Sequence, residues 1–166
     1  VGFTARHLGF SKVRGEFKTF TAKAQADAKT GKLVSFEATI EAKSVDTGVE
    51  KRDAHLRSDD FFAADQHPQI TVKTKSIKWS GNKFSGVVAL TIRGNTKDVK
   101  FTGEFFGVHE VDFGRGKHLR AGYEATAKIN RKEFGLNFAG LAEGLSIVAD
   151  EVEIQVMIET SYTPAK

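Results

Sequence analysis

The stretch LVSFEATIEAKS, residues 33–44, alternates apolar and polar side chains: Val34, Phe36, Ala38, Ile40 and Ala42 fall on one side, Ser35, Glu37, Thr39, Glu41 and Lys43 on the other. A period of two sends successive side chains to opposite faces of an extended backbone, so the stretch predicts a half-buried strand. The same period recurs in Phe84-Gly86-Val88-Leu90-Ile92, Val99-Phe101-Gly103-Phe105, Tyr123-Ala125-Ala127-Ile129 and Val152-Ile154-Val156-Ile158. Between these runs stand AKTGK (28–32), SGNK (80–83), RGNT (93–96) and GRGK (114–117), each offering Gly or Asn for the positive dihedrals of hairpins. With VGFTARHL, VRGEFKTFTAKAQ and QITVKTKSIKW added, about eight strands are predicted.

Long antiparallel strands with one polar face expose unpaired edges unless the sheet curls and closes. The predicted fold is therefore all-β, an eight-stranded antiparallel barrel, with a sandwich as the alternative because both write the same alternating code. Phe17 and Phe20 have opposite parity, as do Val72 and Ile77, which predicts bulges or bends as the strands curve.

Composition agrees with one globular domain. The chain has 166 residues, 40% hydrophobic and 28% charged, enough to bury a real core. Its apolar runs are only a few residues long, far short of the roughly 20 that a membrane-spanning helix needs. Without cysteine there is no disulfide, thiol nucleophile or thiolate metal site. The net charge of +4 arises from 25 basic residues interleaved with 21 acidic ones, so no basic block marks a nucleic-acid partner. A first residue of Val rather than Met is expected of a removed leader or a trimmed sequence.

The largest interruption of the β pattern is KRDAHLRSDDFFAADQHPQI, residues 51–70. Asp53 is placed to cap a short helix and to face Arg57, Ser58 to start a second turn, and Pro68 to force His67 out of helical geometry. The segment around residues 52–65 is thus predicted as a short helical lid in which Phe61 and Phe62 seek an apolar place. Asp53 and His55, two apart, point in different directions on a helix, and HExxH spacing is absent, so no metal site is expected. No nucleophile sits in a recognisable elbow, so no catalytic residue and no cofactor are assigned.

The motifs SVDTG (44–48), RDAHLRSDDFF (52–62), HPQITVKTKSI, LTIRGNTKDV (90–99), INRKEFGL (129–136) and ARHLGFSKVRGEF (5–17) resemble, in order, those of the YceI-like family. The resemblance implies a lipocalin-like barrel whose lumen holds a polyisoprenoid or similar long-chain amphiphile. It also implies a homodimer, and export to the bacterial periplasm with a cytoplasmic location as the alternative. The lipocalin GxW signature is absent, which argues for a similar shape without membership of that family.

Independently of the family, the apolar face mixes large residues with Ala and Gly, and in an eight-stranded barrel that mixture decides between a filled interior and room for one ligand. The candidate lumen wall comprises Phe17, Phe36, Ala38 and Ile40 from the early strands and Phe61 and Phe62 from the lid. The middle strands add Val88, Leu90, Ile92, Phe101 and Phe105. Tyr123, Ala125, Ala127, Ile129, Phe134, Val152, Ile154 and Val156 complete it. Arg6, His7 and Arg14 of the first hairpin, with Arg52, Asp53 and His55 of the lid, are the candidate head-group contacts. An open lumen would suit an apolar chain, and with the family resemblance the function implied is that of a carrier, store or sequestering protein for a polyprenyl chain, isoprenoid quinone or fatty amide or acid. The rivals are a lumen enzyme that isomerises or hydrates a lipid, and a filled barrel acting through its exterior, where Phe106 and Val108 fall out of phase.

Overall fold

The structure, a computed structural model, describes residues 1–162 apart from 28, 113, 115, 116, 143 and 144. Its strands are β1 (Gly2–His7), β2 (Ser11–Phe17), β3 (Phe20–Ala26), β4 (Leu33–Glu41), β5 (Val45–Asp46), β6 (Gln69–Ser80), β7 (Lys83–Ile92), β8 (Asn95–Asp112), β9 (Lys117–Asn130), β10 (Leu141–Ala142), β11 (Leu145–Ser146) and β12 (Val148–Tyr162), with one helix, α1 (Glu50–Arg57). Ten strands form one antiparallel sheet in the order β3-β4-β6-β7-β8-β9-β12-β1-β2-β5, and β10 and β11 make a separate hairpin.

The eight long strands anticipated from alternation are present, with two differences. The predicted single strand through Phe17 and Phe20 is split at Lys18 and Thr19 into β2, which pairs with β1, and β3, which pairs with β4. One bent run thus joins both ends of the sheet and curls it into a half-closed barrel, and the bend accounts for the opposite parity of the two phenylalanines. The other difference is the two-residue β5, which caps β2 through Glu16 and Asp46 and through Phe17 and Val45.

The second phase slip is a bulge between Thr74 and Ser76. Backbone pairing of β4 with β6 runs from Glu41 and Gln69 to Glu37 and Lys73. Beyond it the Thr74 hydroxyl accepts from the Phe36 N–H and donates to the Phe36 carbonyl, each at 2.9 Å, bridging the strands where the ladder parts. A further bulge between Phe105 and Val108 turns Val108 inward, so only Phe106 is left outside, 52% exposed. Val108 is therefore not the exterior residue that parity predicted.

At one end of the barrel the β3–β4 turn folds over the core. Asp27 holds it by accepting from the Thr30 hydroxyl at 2.8 Å and from the Lys29 and Thr30 N–H groups. The Tyr123 hydroxyl donates to the Gly31 carbonyl at 2.5 Å, and Trp79 Nε1 to Leu33 O at 3.0 Å. Gly31 has φ 70°, and a Cβ there would meet Val108 Cγ2 at 2.4 Å, so only glycine fits. A register shift near Ala26 puts Leu33 in the core and leaves Val34 59% exposed, reversing the assignment of Val34 to the buried face. In the GRGK turn, Arg115 and Gly116 lie outside the described residues.

Candidate functional site: the barrel interior and its lid

Residues directly opposite on neighbouring strands project to the same side of a sheet. Ile154 lies opposite Ala127, Ala127 opposite Phe101, and Phe101 opposite Gly86, so one row of the inner wall crosses four strands. Along β7 and β8 this wall is buried: Val88, Leu90, Ile92, Phe101 and Phe105, joined by Tyr123 and Ile40, are each at most 6% exposed. Along β4, β9 and β12 it is not. Phe36, Ala38, Ala125, Ala127, Ile129, Val152, Ile154 and Val156 are only half-buried although they share the wall's concave side. All seven residues of β3 are exposed, and Phe20, Ala22 and Ala24 lie opposite Ile40, Ala38 and Phe36. The apolar wall is therefore open to solvent beside β3.

The glycines contribute differently from the alanines. A Cβ at Gly86 would lie 2.9 Å from Phe101 Cζ, and one at Gly103 only 2.3 Å from Phe84 Cζ, so neighbouring rings already occupy that room. The large-small mixture on β7 and β8 is interdigitated packing. The half-buried part of the wall is the side lined by Ala125, Ala127 and β12.

The lid closes the other end. Helix α1 carries Glu50 and Asp53 in its first turn and His55 and Arg57 in its last, complementing its dipole. Its N-cap is Val49, without a side-chain bond, so Asp53 is not the cap that spacing predicted. Asp53 instead lies inside the helix, buried to 3% exposure, and accepts from the Thr47 N–H at 2.9 Å and the Thr47 hydroxyl at 2.5 Å. Arg52 donates to the hydroxyl and carbonyl of the same threonine, and Arg57 pairs with Glu50 at 3.0 Å rather than with Asp53. After Ser58 the chain continues in turns to the strand at Gln69, and the expected second helix does not form.

Phe61 is buried and Phe62 half-buried, with the Phe62 ring edge-on to Phe17 at 5.4 Å. Arg93, in a turn with positive φ at Arg93 and Gly94, donates Nη1 to the carbonyls of Phe61 and Gly135, fastening the lid to the segment that carries buried Phe134. The His55 ring stands edge-on between Phe61 and Phe138, about 5 Å from each, while its Nε2 lies 2.8 Å from Asp60.

The candidate head-group residues are thus not gathered at one mouth. Arg52 and Asp53 are engaged within the lid, and His55 serves its outer edge. Arg6 and Arg14 are exposed on β1 and β2, on the side opposite Ala5 and Val13, facing away from the interior. His7 is half-buried at the end of β1, opposite Ser11 and Val148. None of these placements supports contact with a cargo head group inside the barrel.

Sequence reasoning missed Arg131, 4% exposed, whose guanidinium donates to the carbonyls of Leu136, Val148 and Ala149 and to Asp150. Asp150 is held below the ordinary carboxylate range chiefly by the Lys132 ammonium hydrogen-bonded to it, with Arg131 adding to the effect. The only available signal was the Arg in INRKEFGL, a charge in a motif otherwise read for its apolar residues. The buried inner wall between Val99 and Phe105 presents only apolar side chains and Gly103, so it offers no acid or base to a bound molecule.

Residues 1–160 match the model of the YceI-like domain. The protein YceI of Shigella flexneri is 35% identical over 159 residues, which is 96% of this chain and 79% of that relative, and the same values hold for YceI of Escherichia coli O157:H7. Among solved structures, the YceI protein of Campylobacter jejuni superposes with a TM-score of 0.81 at 29% identity, over 95% of this chain and 90% of the other. BcnA of Burkholderia cenocepacia gives 0.74 at 26% identity, over 96% and 94%. A polyisoprenoid binding domain from Saccharophagus degradans gives 0.60 at 14% identity, over 98% and 92%, and shares the fold alone.

Proposed function

The chain belongs to the YceI-like domain family, and from that membership and its own inner wall we infer that it binds one long-chain isoprenoid or similar amphiphilic lipid as a carrier, store or sequestering protein. The observation that carries this reading is the contrast within one wall: β7 and β8 are packed, whereas Ala125, Ala127, Val152, Ile154 and Val156 remain half-exposed on the concave side. Apolar surface left accessible inside a curled sheet favours an apolar guest. A strand of about ten residues spans roughly 33 Å, and a tilt near 40° makes the wall about 25 Å tall, a length that suits a chain rather than a compact molecule. At about 0.8 kcal/mol per buried methylene, ten carbons contribute about 8 kcal/mol before ordering costs. The domain from Saccharophagus degradans is described as polyisoprenoid-binding, and because it shares the fold alone the argument for this chain rests on its own wall.

Binding is proposed rather than catalysis because the packed wall presents no acid or base. We further propose a periplasmic location and a homodimer. The dimer is supported by Phe106 and Met157, 52% and 75% exposed, on the outer face around Gly122, over which the Phe106 ring packs. Size-exclusion chromatography with light scattering tests it: a monomer at tens of micromolar rejects it. The lipid reading is tested by mass spectrometry of an organic extract of gently purified protein, together with titration of a fluorescent prenyl lipid. About one long-chain lipid per barrel is expected. An empty extract and no saturable titration overturn the reading.

A further inference from the structure

We propose, in a step that rests on the lipid-binding reading, that the Thr160 hydroxyl hydrogen-bonds the polar terminus of the bound chain and selects an uncharged one. The chain then lies with its polar end toward the β3–β4 turn and its tail toward the lid. Thr160 continues the inward row Val152, Ile154, Val156 and Ile158 of β12. It lies opposite Ala121, which is 1% exposed, and Ala121 lies opposite Val108, the side chain that a Cβ on Gly31 would strike. Thr160 is half-buried between exposed Glu159 and Ser161, so its side chain belongs to the concave side at the end covered by the β3–β4 turn.

Other polar groups that reach the interior are committed. Thr74 both accepts from and donates to the Phe36 backbone at 2.9 Å, Trp79 Nε1 donates to Leu33 O at 3.0 Å, and the Tyr123 hydroxyl donates to the Gly31 carbonyl. The Thr160 hydroxyl reaches the Ala121 carbonyl at 3.4 Å, longer than the roughly 2.5–3.0 Å of a well-formed O–H···O bond, and no group donates to it among the described residues. It is also approachable: β1 pairs with β12 as far as Gln155, and among the described residues 156–162 pair with β9 alone. A hydroxyl that both donates and accepts suits an alcohol, a carbonyl or an amide. The row from Val152 to Thr160 carries no cation. The adjoining charges, Arg120 and Glu159, alternate with Ala121 and Thr160 onto the outer face, where they pair with each other. An anionic terminus at Thr160 would leave water without a counter-charge, a cost that an uncharged terminus does not meet.

Lipid-free protein is titrated by displacement of a fluorescent prenyl lipid with geranylgeraniol, the matching prenyl hydrocarbon and geranylgeranyl monophosphate. The monophosphate should bind at least roughly tenfold more weakly than the alcohol. Thr160→Val, which keeps the shape and removes the hydroxyl, should weaken the alcohol about two- to tenfold, the contribution of one neutral hydrogen bond, and leave the hydrocarbon undiminished. Thr160→Ser should restore the alcohol. On the unaltered chain Trp79, the lone tryptophan, sits under the β3–β4 turn and reports orientation. A long-chain amide with a nitroxide beside the amide should quench it, and one with the nitroxide at the far end should not. Equal affinity for monophosphate and alcohol, a Thr160→Val loss shared by the hydrocarbon, or quenching by the tail label overturns the proposal. Alcohol and hydrocarbon binding that Thr160→Val leaves unchanged sinks this anchor and keeps the cargo reading, whereas displacement by none of the probes sinks both.

Discussion

Replacing Ala127 with Trp separates an open wall from a packed one. Ala127 lies opposite Phe101 and Ile154, half-buried on the concave side. Gly103, in the next row and opposite Ala125, has no room: a Cβ there meets Phe84 Cζ at 2.3 Å and the Glu124 carbonyl at 2.5 Å. Gly103→Ala adds one methyl to a filled site against backbone that cannot yield, and should cost about 1–3 kcal/mol, or about 2–10 °C in Tm for a chain of this size. Ala127→Trp adds a whole indole, yet in the lipid-free protein it should cost less than that single methyl. It should also occupy the place of about four lipid methylenes, removing about 3 kcal/mol of binding, on the order of a hundredfold in Kd. Denaturant melts of lipid-free protein and a fluorescent prenyl-lipid titration measure both numbers. If Ala127→Trp destabilises more than Gly103→Ala while the surviving folded protein binds normally, the wall is packed throughout and the reasoning fails.

Arg131→Met should destabilise by about 3–5 kcal/mol because three carbonyls lose their donor and Asp150 keeps only Lys132. Arg131→Lys should not restore the loss, since an ammonium lacks the planar fork; an urea midpoint that stays put in either variant contradicts this. Phe62→Ala should speed release of bound prenyl lipid with a smaller stability loss than Phe61→Ala, whose buried ring costs about 3–5 kcal/mol, and stopped-flow release equal to wild type would reject the lid's gating role. The Asp27 carboxylate is held below its ordinary range first by the Thr30 hydroxyl and then by backbone N–H groups. Its contribution is therefore present above the unfolded value near 4 and lost as pH falls through the lower folded value. The stability gap between wild type and Asp27→Asn should narrow below about pH 4, and a gap independent of pH from 7 to 3 would contradict the assignment.

The β fold was legible because strand alternation is a local property: the pleat itself sends Phe36, Ala38 and Ile40 one way and Glu37 and Thr39 the other. The bend between Phe17 and Phe20 and the bulge near Thr74 were legible for the same reason, as breaks of parity. The motifs LTIRGNTKDV and INRKEFGL were legible as a family, and the lid as the one segment without alternation. The capping role assigned to Asp53 failed because spacing to Arg57 is a local criterion, whereas Thr47, six residues earlier, competes for the carboxylate in space.

What the chain's order of residues determined, then, is which side chains share a face; what only the tertiary structure decided is which of them meet. Gly103 and Ala125 read alike as small residues on an apolar strand. The register of β7 on β8 brings the Phe84 ring over Gly103, while Ala125 and Ala127 stay half-buried beside β12. The same holds for Arg6 and Arg14, whose sequence places them near a predicted mouth and whose pairing opposite Lys12 and Thr4 turns them outward. Alternation is set by two adjacent backbone dihedrals, but free volume and partnership are set by contacts between residues far apart in the chain, as between Tyr123 and Gly31 (92 positions), and no local pattern encodes that distance.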